Sequence, residues 1–276
     1  MKYADLHIHT TASDGILSPE EIVKWAKKIF LSAIAITDHD TVNGIESAIK
    51  EGTQTGIEVI PGIELGARMG NYEIHILGYY IDYKQSSLQT QLDILQMERT
   101  ARAKKMIDNL NKLYDIDLDV EYVKKIAKDA TISRPHIGRA LIEKGIVQNL
   151  AEAFDRYIGN GCPAYIPRKT LSPQECIRLI KEYKGIPVLA HPGLIENMNI
   201  VKEIIKMDIE GIEIYHPKHT TEQEKLFEEL CRQNHLLATG GSDFHDEFID
   251  DVPSMGNIRL PYTYVELLKN KKFNRL

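Results

Sequence analysis

The sequence predicts an α/β fold, a barrel of about seven β/α units carrying an inserted helical subdomain, and three observations predict it. Short apolar runs alternate with amphipathic helical stretches in both outer parts of the 276-residue chain. Between them, from about Tyr83 to Thr170, only helical patterns occur. Imidazole and carboxylate side chains recur where the apolar runs stop, on the face where parallel barrels assemble active sites. The expected division is residues 1–82 and 171–276 for the barrel and 83–170 for the insertion.

The first strand carries Asp5-Leu6-His7-Ile8-His9-Thr10, with Asp14 close behind. Strand alternation would put Asp5, His7 and His9 on one face and Leu6 and Ile8 on the other. Ser18-Pro19-Glu20-Glu21 combines an N-cap, a proline at the first helical position and a capping-box glutamate, and opens a helix through Ile22, Val23, Trp25, Ala26 and Ile29. Ala33 to Thr37 is an apolar run of the kind buried on both faces, ending in Asp38-His39-Asp40. A short helix near Ile45 to Lys50 precedes strand Ile57 to Ile63, which delivers Glu64. Glu73 to Tyr80 is the fourth strand and carries His75 near its start.

The insertion reads as helices over Leu88 to Leu113, Val120 to Lys128, Pro135 to Lys144 and Leu150 to Ile158. The β/α rhythm resumes at a Ser172-Pro173 helix start and strand Ile186 to Ala190, ending in His191-Pro192. A helix near Ile200 to Met207 leads to strand Gly211 to Ile214, ending in Tyr215-His216-Pro217. A helix over Thr221 to Gln233 leads to strand Leu236 to Thr239, which ends in Gly240-Gly241-Ser242-Asp243-Phe244-His245. One weak helix follows Leu260.

Composition excludes several classes. Three cysteines, Cys162, Cys176 and Cys231, with no Cys-x-x-Cys spacing, argue against a disulfide framework or a zinc ribbon and suit a reducing cytoplasm. The start has no signal-peptide pattern, no apolar run approaches the roughly 18 residues of a membrane span, and no obligate protein partner is indicated. A net charge of −6 excludes a generally basic surface for nucleic acid, though not a local one. The insertion holds 15 Lys+Arg against 11 Asp+Glu, a net of +4, which leaves −10 on the remainder. A basic cover over an acidic barrel mouth would attract a phosphorylated ligand.

Each polar residue at the strand ends has a plain alternative taken singly. A His-x-His pair is often a solvated or hydrogen-bonded accident, His75 can be a satisfied core histidine, His39 can cap a helix and Glu64 can bind an arginine. Jointly, so many ligand-type groups at one mouth would be costly without cations to offset carboxylate repulsion and desolvation. A polynuclear metal site follows. Its imidazole and carboxylate donors, without thiolate, suit zinc, manganese or iron.

The ordered motifs Asp5-x-His7-x-His9, Asp38-His39-Asp40, Pro61-Gly62-Ile63-Glu64, His75, His191-Pro192 and Gly241-Ser242-Asp243-x-His245 resemble those of the PHP (polymerase and histidinol phosphatase) family. The resemblance implies a distorted (β/α)7 TIM-like barrel holding three divalent metal ions. It implies His7, His9, Glu64 and Asp243 around one metal, Glu64 bridging to a second completed by His75 and His191, and Asp14, His39 and His245 around the third. Some relatives carry a histidine where Asp14 stands, which makes the third site here harder. The expected reaction is hydrolysis of a phosphate ester by a metal-bridging hydroxide, without a covalent enzyme intermediate. No Gly-x-Ser-x-Gly elbow contradicts this. Asp38 is expected to orient a histidine and His216 to donate a proton at the leaving group, although a strand-end histidine bonded to its neighbours fits His216 equally.

Ser133-Arg134-Pro135-His136, Gly161-Cys162-Pro163-Ala164-Tyr165-Ile166-Pro167 and Tyr215-His216-Pro217-x-His219-Thr220 resemble one PHP subgroup. These are the nucleoside 3',5'-bisphosphate phosphatases, some of which also trim short RNA from the 5' end. The expected partner is therefore a small phosphorylated nucleotide, or a short RNA. Arg134, at a helix start, is expected to grip a phosphate, with His136, Arg102 and His219 also at the substrate. For Arg99, Arg102, Lys104 and Lys105 a solvated helix face is the plain alternative. A histidinol-phosphate phosphatase would share the metal site but leave the basic insertion idle. An amidohydrolase also opens with His-x-His, and a metal-bearing domain serving a polymerase is the non-enzymatic alternative.

Overall fold

The computed structural model describes residues 2–128, 130–167, 171–249 and 252–274. Seven predicted strands are present: β1 (Tyr3–Ile8), β2 (Ala33–Ile36), β3 (Glu58–Met69), β4 (Tyr72–Tyr79), β5 (Ile186–Leu189), β6 (Gly211–Tyr215) and β7 (Leu237–Gly240). A hairpin of β8 (Phe248–Ile249) and β9 (Val252–Pro253) follows, then β10 (Leu260–Pro261). The main sheet runs β10-β1-β2-β3-β4-β5-β6-β7. It curls until the segment after β7 returns to β1: Phe244 bridges Ile8, and the His9 amide donates to the Phe244 carbonyl at 3.0 Å.

Two expectations about this sheet are corrected. It is not wholly parallel, because β4 runs antiparallel to both β3 and β5. The chain reverses at Gly70-Asn71, with Gly70 at φ 60°, and two residues leave no room for a crossover helix. Glu64 consequently sits inside a twelve-residue strand rather than at its end. Nor does β1 keep strict alternation, since its register against β2 shifts between Asp5 and Ile8. Leu6 joins an apolar cluster with Ala4, Ala33, Ala35 and Val188, closed at one end by Val265 and Leu268. Ile8 instead packs with Ile22 and Val23 in the layer between sheet and helices.

The barrel helices are α1 (Pro19–Lys28), α2 (Ile45–Thr55), α7 (Pro173–Glu182), α8 (Met198–Ile205), α9 (Thr221–Asn234) and α10 (Thr263–Phe273). The capping box read from Ser18 and Glu21 forms, with the Ser18 amide donating to Glu21 at 2.7 Å. Helices α3 (Ser86–Tyr114), α4 (Val120–Ala127), α5 (Arg134–Glu143) and α6 (Leu150–Ala153) fill the middle of the chain, and α6 runs into a π-helical turn at Phe154–Ile158. Leu88, Leu92 and Leu95 at the start of α3 pack on the barrel layer, whereas Met106, Ile107 and Leu110 belong to a separate apolar core with Val123, Ile137 and Leu141. One helix of 29 residues, about 44 Å long, thus serves both cores. The downstream limit expected for the insertion, at Thr170, lies outside the described residues.

Candidate metal centre

Strand ends and loops deliver the donors to one mouth. His7 is next to last in β1 and His9 follows it; Asp14 lies in the loop before α1; His39 follows β2; Glu64 and His75 project from the β3/β4 hairpin; His191 follows β5, and Asp243 and His245 follow β7. Glu64 is the hub. Its Oε2 lies 3.4 Å from His7 Nε2, 3.2 Å from His9 Nε2 and 3.0 Å from His39 Nδ1. Its Oε1 lies 2.8 Å from His75 Nδ1 and 3.1 Å from His191 Nε2. Asp243 Oδ1 faces the same two nitrogens as Oε2, at 3.3 Å from His7 and 3.2 Å from His9.

Among the described residues, three groups of donor atoms, each within 4.8 Å of one another, could hold a cation: His7, His9, Glu64 and Asp243; His39, Glu64 and His75; and His9, Asp14, His39 and His245. The first repeats the expected set. In the second, His39 completes the compact trio where His191 was expected, while His191 stays in contact with Glu64 Oε1. His9 joins the third.

The donor chemistry fits metal ions. His9 Nδ1, Asp14 Oδ1, His39 Nδ1, Glu64 Oε2 and His75 Nδ1 are buried without a hydrogen-bond partner. These imidazole and carboxylate atoms face one another without hydrogen-bond geometry, an arrangement that cations held between them would account for. His7 Nε2 and His9 Nε2 stand 3.1 Å apart, a spacing two neutral lone pairs would not adopt unaided. Burial alone would raise the Glu64 carboxyl, but His39, His75 and His7 hold it well below its ordinary range. His7 and His216 do the same for Asp243, and His39 and His245 for Asp14. Burial would lower His245, but Asp14 and Asp243 push it up to about 9. These donors compete for protons that a cation would replace.

Glu213 is a supporting residue that the motif reading missed. It is fully buried; Oε1 accepts from His7 Nδ1 at 2.9 Å and Oε2 from the His191 amide at 2.8 Å. With Nδ1 donating, His7 turns its Nε2 lone pair toward Glu64 and Asp243. The signal in the sequence is one acid inside the apolar strand Gly211-Ile212-Glu213-Ile214. Asp5, buried likewise, accepts from the Ser242 amide at 2.9 Å and the Gly256 amide at 2.7 Å, fastening the Asp243 loop to β1.

Several expected roles fall elsewhere. Asp38 hydrogen-bonds no histidine: it accepts from the Thr10 amide at 2.7 Å, the Thr10 hydroxyl at 2.8 Å and the Ser13 hydroxyl at 2.6 Å, pinning the loop after β1. His136, expected at the substrate, closes the capping box of α5, its Nδ1 accepting from the Ser133 amide at 3.1 Å. Both nitrogens of His219 are spent on backbone, Nδ1 donating to the Ile214 carbonyl at 2.7 Å and Nε2 accepting from Gly193 at 3.1 Å, so the ring braces the turn after His191. His216 Nδ1 accepts from the Lys218 amide at 3.2 Å, which leaves Nε2–H directed at Asp243 Oδ2, 3.3 Å away.

Above the donors lies a cavity of about 910 Å³. His39, Glu64, His75 and Asp243 line its floor, and Arg99, Arg102, Arg134 and Arg139 from α3 and α5 line its wall. Arg134 donates to Glu73 Oε2 at 2.8 Å with its guanidinium 5.2 Å from the Phe154 ring centre. Arg102 donates through Nε to the Ile166 carbonyl at 2.6 Å, while its Nη2 is buried without a hydrogen-bond partner.

A distorted α/β barrel whose mouth gathers imidazoles and carboxylates around shared carboxylate oxygens defines a metal-dependent hydrolase. Residues 5–160 match the PHP domain, and the chain belongs to that family of metal-dependent phosphoesterases. It is 33% identical over 248 residues to the 5'-3' exoribonuclease Rnm of Salmonella typhimurium, covering 87% of this chain and 84% of the relative. It is 28% identical over 250 residues to the 3',5'-nucleoside bisphosphate phosphatase of Chromobacterium violaceum, covering 89% and 88%. A solved Bifidobacterium adolescentis protein described as a metal-dependent phosphoesterase superposes with a TM-score of 0.87 at 27% identity, covering 96% of this chain and 94% of that one. Among the described residues no helix is long and apolar enough to cross a membrane.

Proposed function

We propose that this chain removes the 3'-phosphate of a nucleoside 3',5'-bisphosphate and, by the same chemistry, trims short RNA from its 5' end. The observation that carries the reading is the facing of two unlike surfaces across one cavity, a floor of metal donors and a wall of four arginines. Such a cavity suits a ligand with phosphate at both ends. Three divalent ions, manganese, iron or zinc, would be held by His7, His9, Glu64 and Asp243; by Glu64, His75 and His191 with His39; and by Asp14, His39 and His245 with His9. Ions so held supply Lewis acidity toward phosphate oxygens and lower the pKa of water.

The chain's own residues do the rest. Glu213 holds the tautomer of His7, and His216 orients Asp243. Residues 83–170 act as the substrate-binding cover, with Arg102 and Arg134 gripping the second phosphate. Glu73 and His75 lie two residues apart on one face of β4, about 7 Å, so Glu73 marks the border between floor and wall. A phosphate arriving there competes with Glu73 for Arg134 and meets the buried Arg102 Nη2. The two guanidiniums share Glu73 and lie 5.2 and 5.7 Å from the centre of the Tyr165 ring; burial and then the Arg134 charge push the Arg102 pKa down to about 10, and a dianion would offset that repulsion.

The test is a panel of nucleoside mono- and bisphosphates, short 5'-phosphorylated oligoribonucleotides and histidinol phosphate, assayed for phosphate or nucleotide release with manganese. The 3',5'-bisphosphate should be preferred, and Arg134→Ala should raise KM for it at least about tenfold while leaving monophosphates little changed. No release from any member would sink the reading; preference for histidinol phosphate would replace it.

A further inference from the structure

We propose that Arg139 of α5 is a positioning residue that makes metal loading at the His9, Asp14, His39 and His245 group depend on docking of the helical segment against the barrel. The inference rests on the reading of Asp14 and His245 as ligands and adds a residue from outside the barrel to them. Arg139 Nη2 donates to the Asp14 main-chain carbonyl at 2.7 Å and to Asp246 Oδ2 at 2.9 Å, and Nε reaches the same Asp246 oxygen at 3.3 Å. One guanidinium therefore holds the backbone of one donor and the residue next to another.

The donors it spans come from two loops without a ladder between them. The Asp14 loop belongs to no helix or strand; Asp38 fastens it through Thr10 and Ser13 and the Gly15 amide donates to the Thr10 carbonyl at 3.0 Å, while the Asp14 carbonyl itself is met by Arg139. His245 lies past β7, joined to the Asp14 loop by the Ile16 amide donating to the His245 carbonyl at 3.0 Å. Between these fastenings Asp14 Oδ1 sits 3.4 Å from His245 Nε2, buried and without a hydrogen-bond partner. Donor atoms must keep their spacing to within a few tenths of an ångström for a cation to gain from all of them. The planar fork of an arginine fixes a carbonyl and a carboxylate in one orientation, whereas the rotatable ammonium of a lysine can bond both but leaves their spacing less constrained.

The experiment is a manganese titration of the full chain, read as bound equivalents after dialysis and as heat on binding, for wild type, Arg139→Ala, Arg139→Lys and Asp14→Ala. Arg139→Ala should weaken one equivalent at least about tenfold and leave the others at wild-type affinity, with Arg139→Lys between the two. Asp14→Ala should lose that same equivalent outright. Wild-type binding by Arg139→Ala alongside loss in Asp14→Ala overturns the role of Arg139, as does an equal weakening of every equivalent. Wild-type stoichiometry in Asp14→Ala overturns the ligand assignment beneath it. Should Arg139→Ala lose its native circular dichroism, Asp246→Asn, which removes the carboxylate from the other side of the clasp, replaces it under the same criteria.

Discussion

Glu213 shows at the scale of one residue how a buried charge supports a metal site it does not enter. Burial would raise its carboxyl, but the His7 imidazole lowers it and the two form a 2.9 Å hydrogen bond. Glu213→Gln keeps the shape but presents an amide NH2 where one oxygen now accepts, facing either His7 Nδ1–H or the His191 amide with a second donor. The expected outcome is metal affinity about 10–100-fold weaker with the fold retained, measured by metal titration alongside circular dichroism. Unchanged affinity would show that the tautomer of His7 is held by something else. The same scale explains why His136 and His219 were misplaced from sequence. Their neighbours in the chain match a phosphatase subgroup, but a ring nitrogen is spent on whichever backbone group the fold brings closest, and that partner is invisible in a motif.

At the scale of elements, the close approach of the β7 end to β1 builds the floor of the site. A Cβ on Gly241 would fall 2.3 Å from the His7 backbone nitrogen and 2.5 Å from His7 Cβ, contacts with atoms that cannot swing aside. Gly241→Ala is therefore expected to destabilise by roughly 1–3 kcal/mol and to weaken metal binding, because separating β1 from the Asp243 loop parts His7 and His9 from Asp243 and His245. Gly56→Ala is the comparison: φ 77° strains an alanine there, yet nothing lies within 4 Å. Melting temperature and bound metal should fall together for Gly241→Ala, and only melting temperature for Gly56→Ala. The β3/β4 hairpin is an element the motif reading passed over. Gly70-Asn71 is a two-residue turn signal, but the short apolar stretch around Gly66 hid that β3 continues from Glu64 to Met69 to meet it.

Across the whole molecule, the proposed donors come from six of the eight strands of the main sheet or the loops that follow them, so cations bound there would crosslink the barrel. Stripping metal with a chelator should lower the melting temperature, by mass action on the folded state. The effect has a pH sense. His245, raised to about 9, and His7, raised well above its ordinary value by Glu213, Asp243 and Glu64 against the effect of burial, hold protons at neutral pH that metal must displace. Proton competition falls as pH rises, so the difference in melting temperature between loaded and stripped protein should grow from pH 6 to pH 9. A difference that shrinks over that range would contradict the donor assignment.

The sequence by itself determined the α/β barrel class, the helical interval and the Ser18 capping box, while the set of candidate donors came from motifs that resemble those of the PHP family. Those signals are local, carried by periodicity, caps and histidine or acid residues placed where strands stop. Only the tertiary structure decided which candidate donors share an oxygen, that His39 stands beside Glu64 and His75, that Glu213 bonds His7 and Arg139 the Asp14 carbonyl, and that Asp38, His136 and His219 bond main-chain groups. Those assignments depend on distances of about 3 Å between residues as far as 206 positions apart. Register, strand reversal and loop fastening set such distances, and no single stretch of the chain contains them.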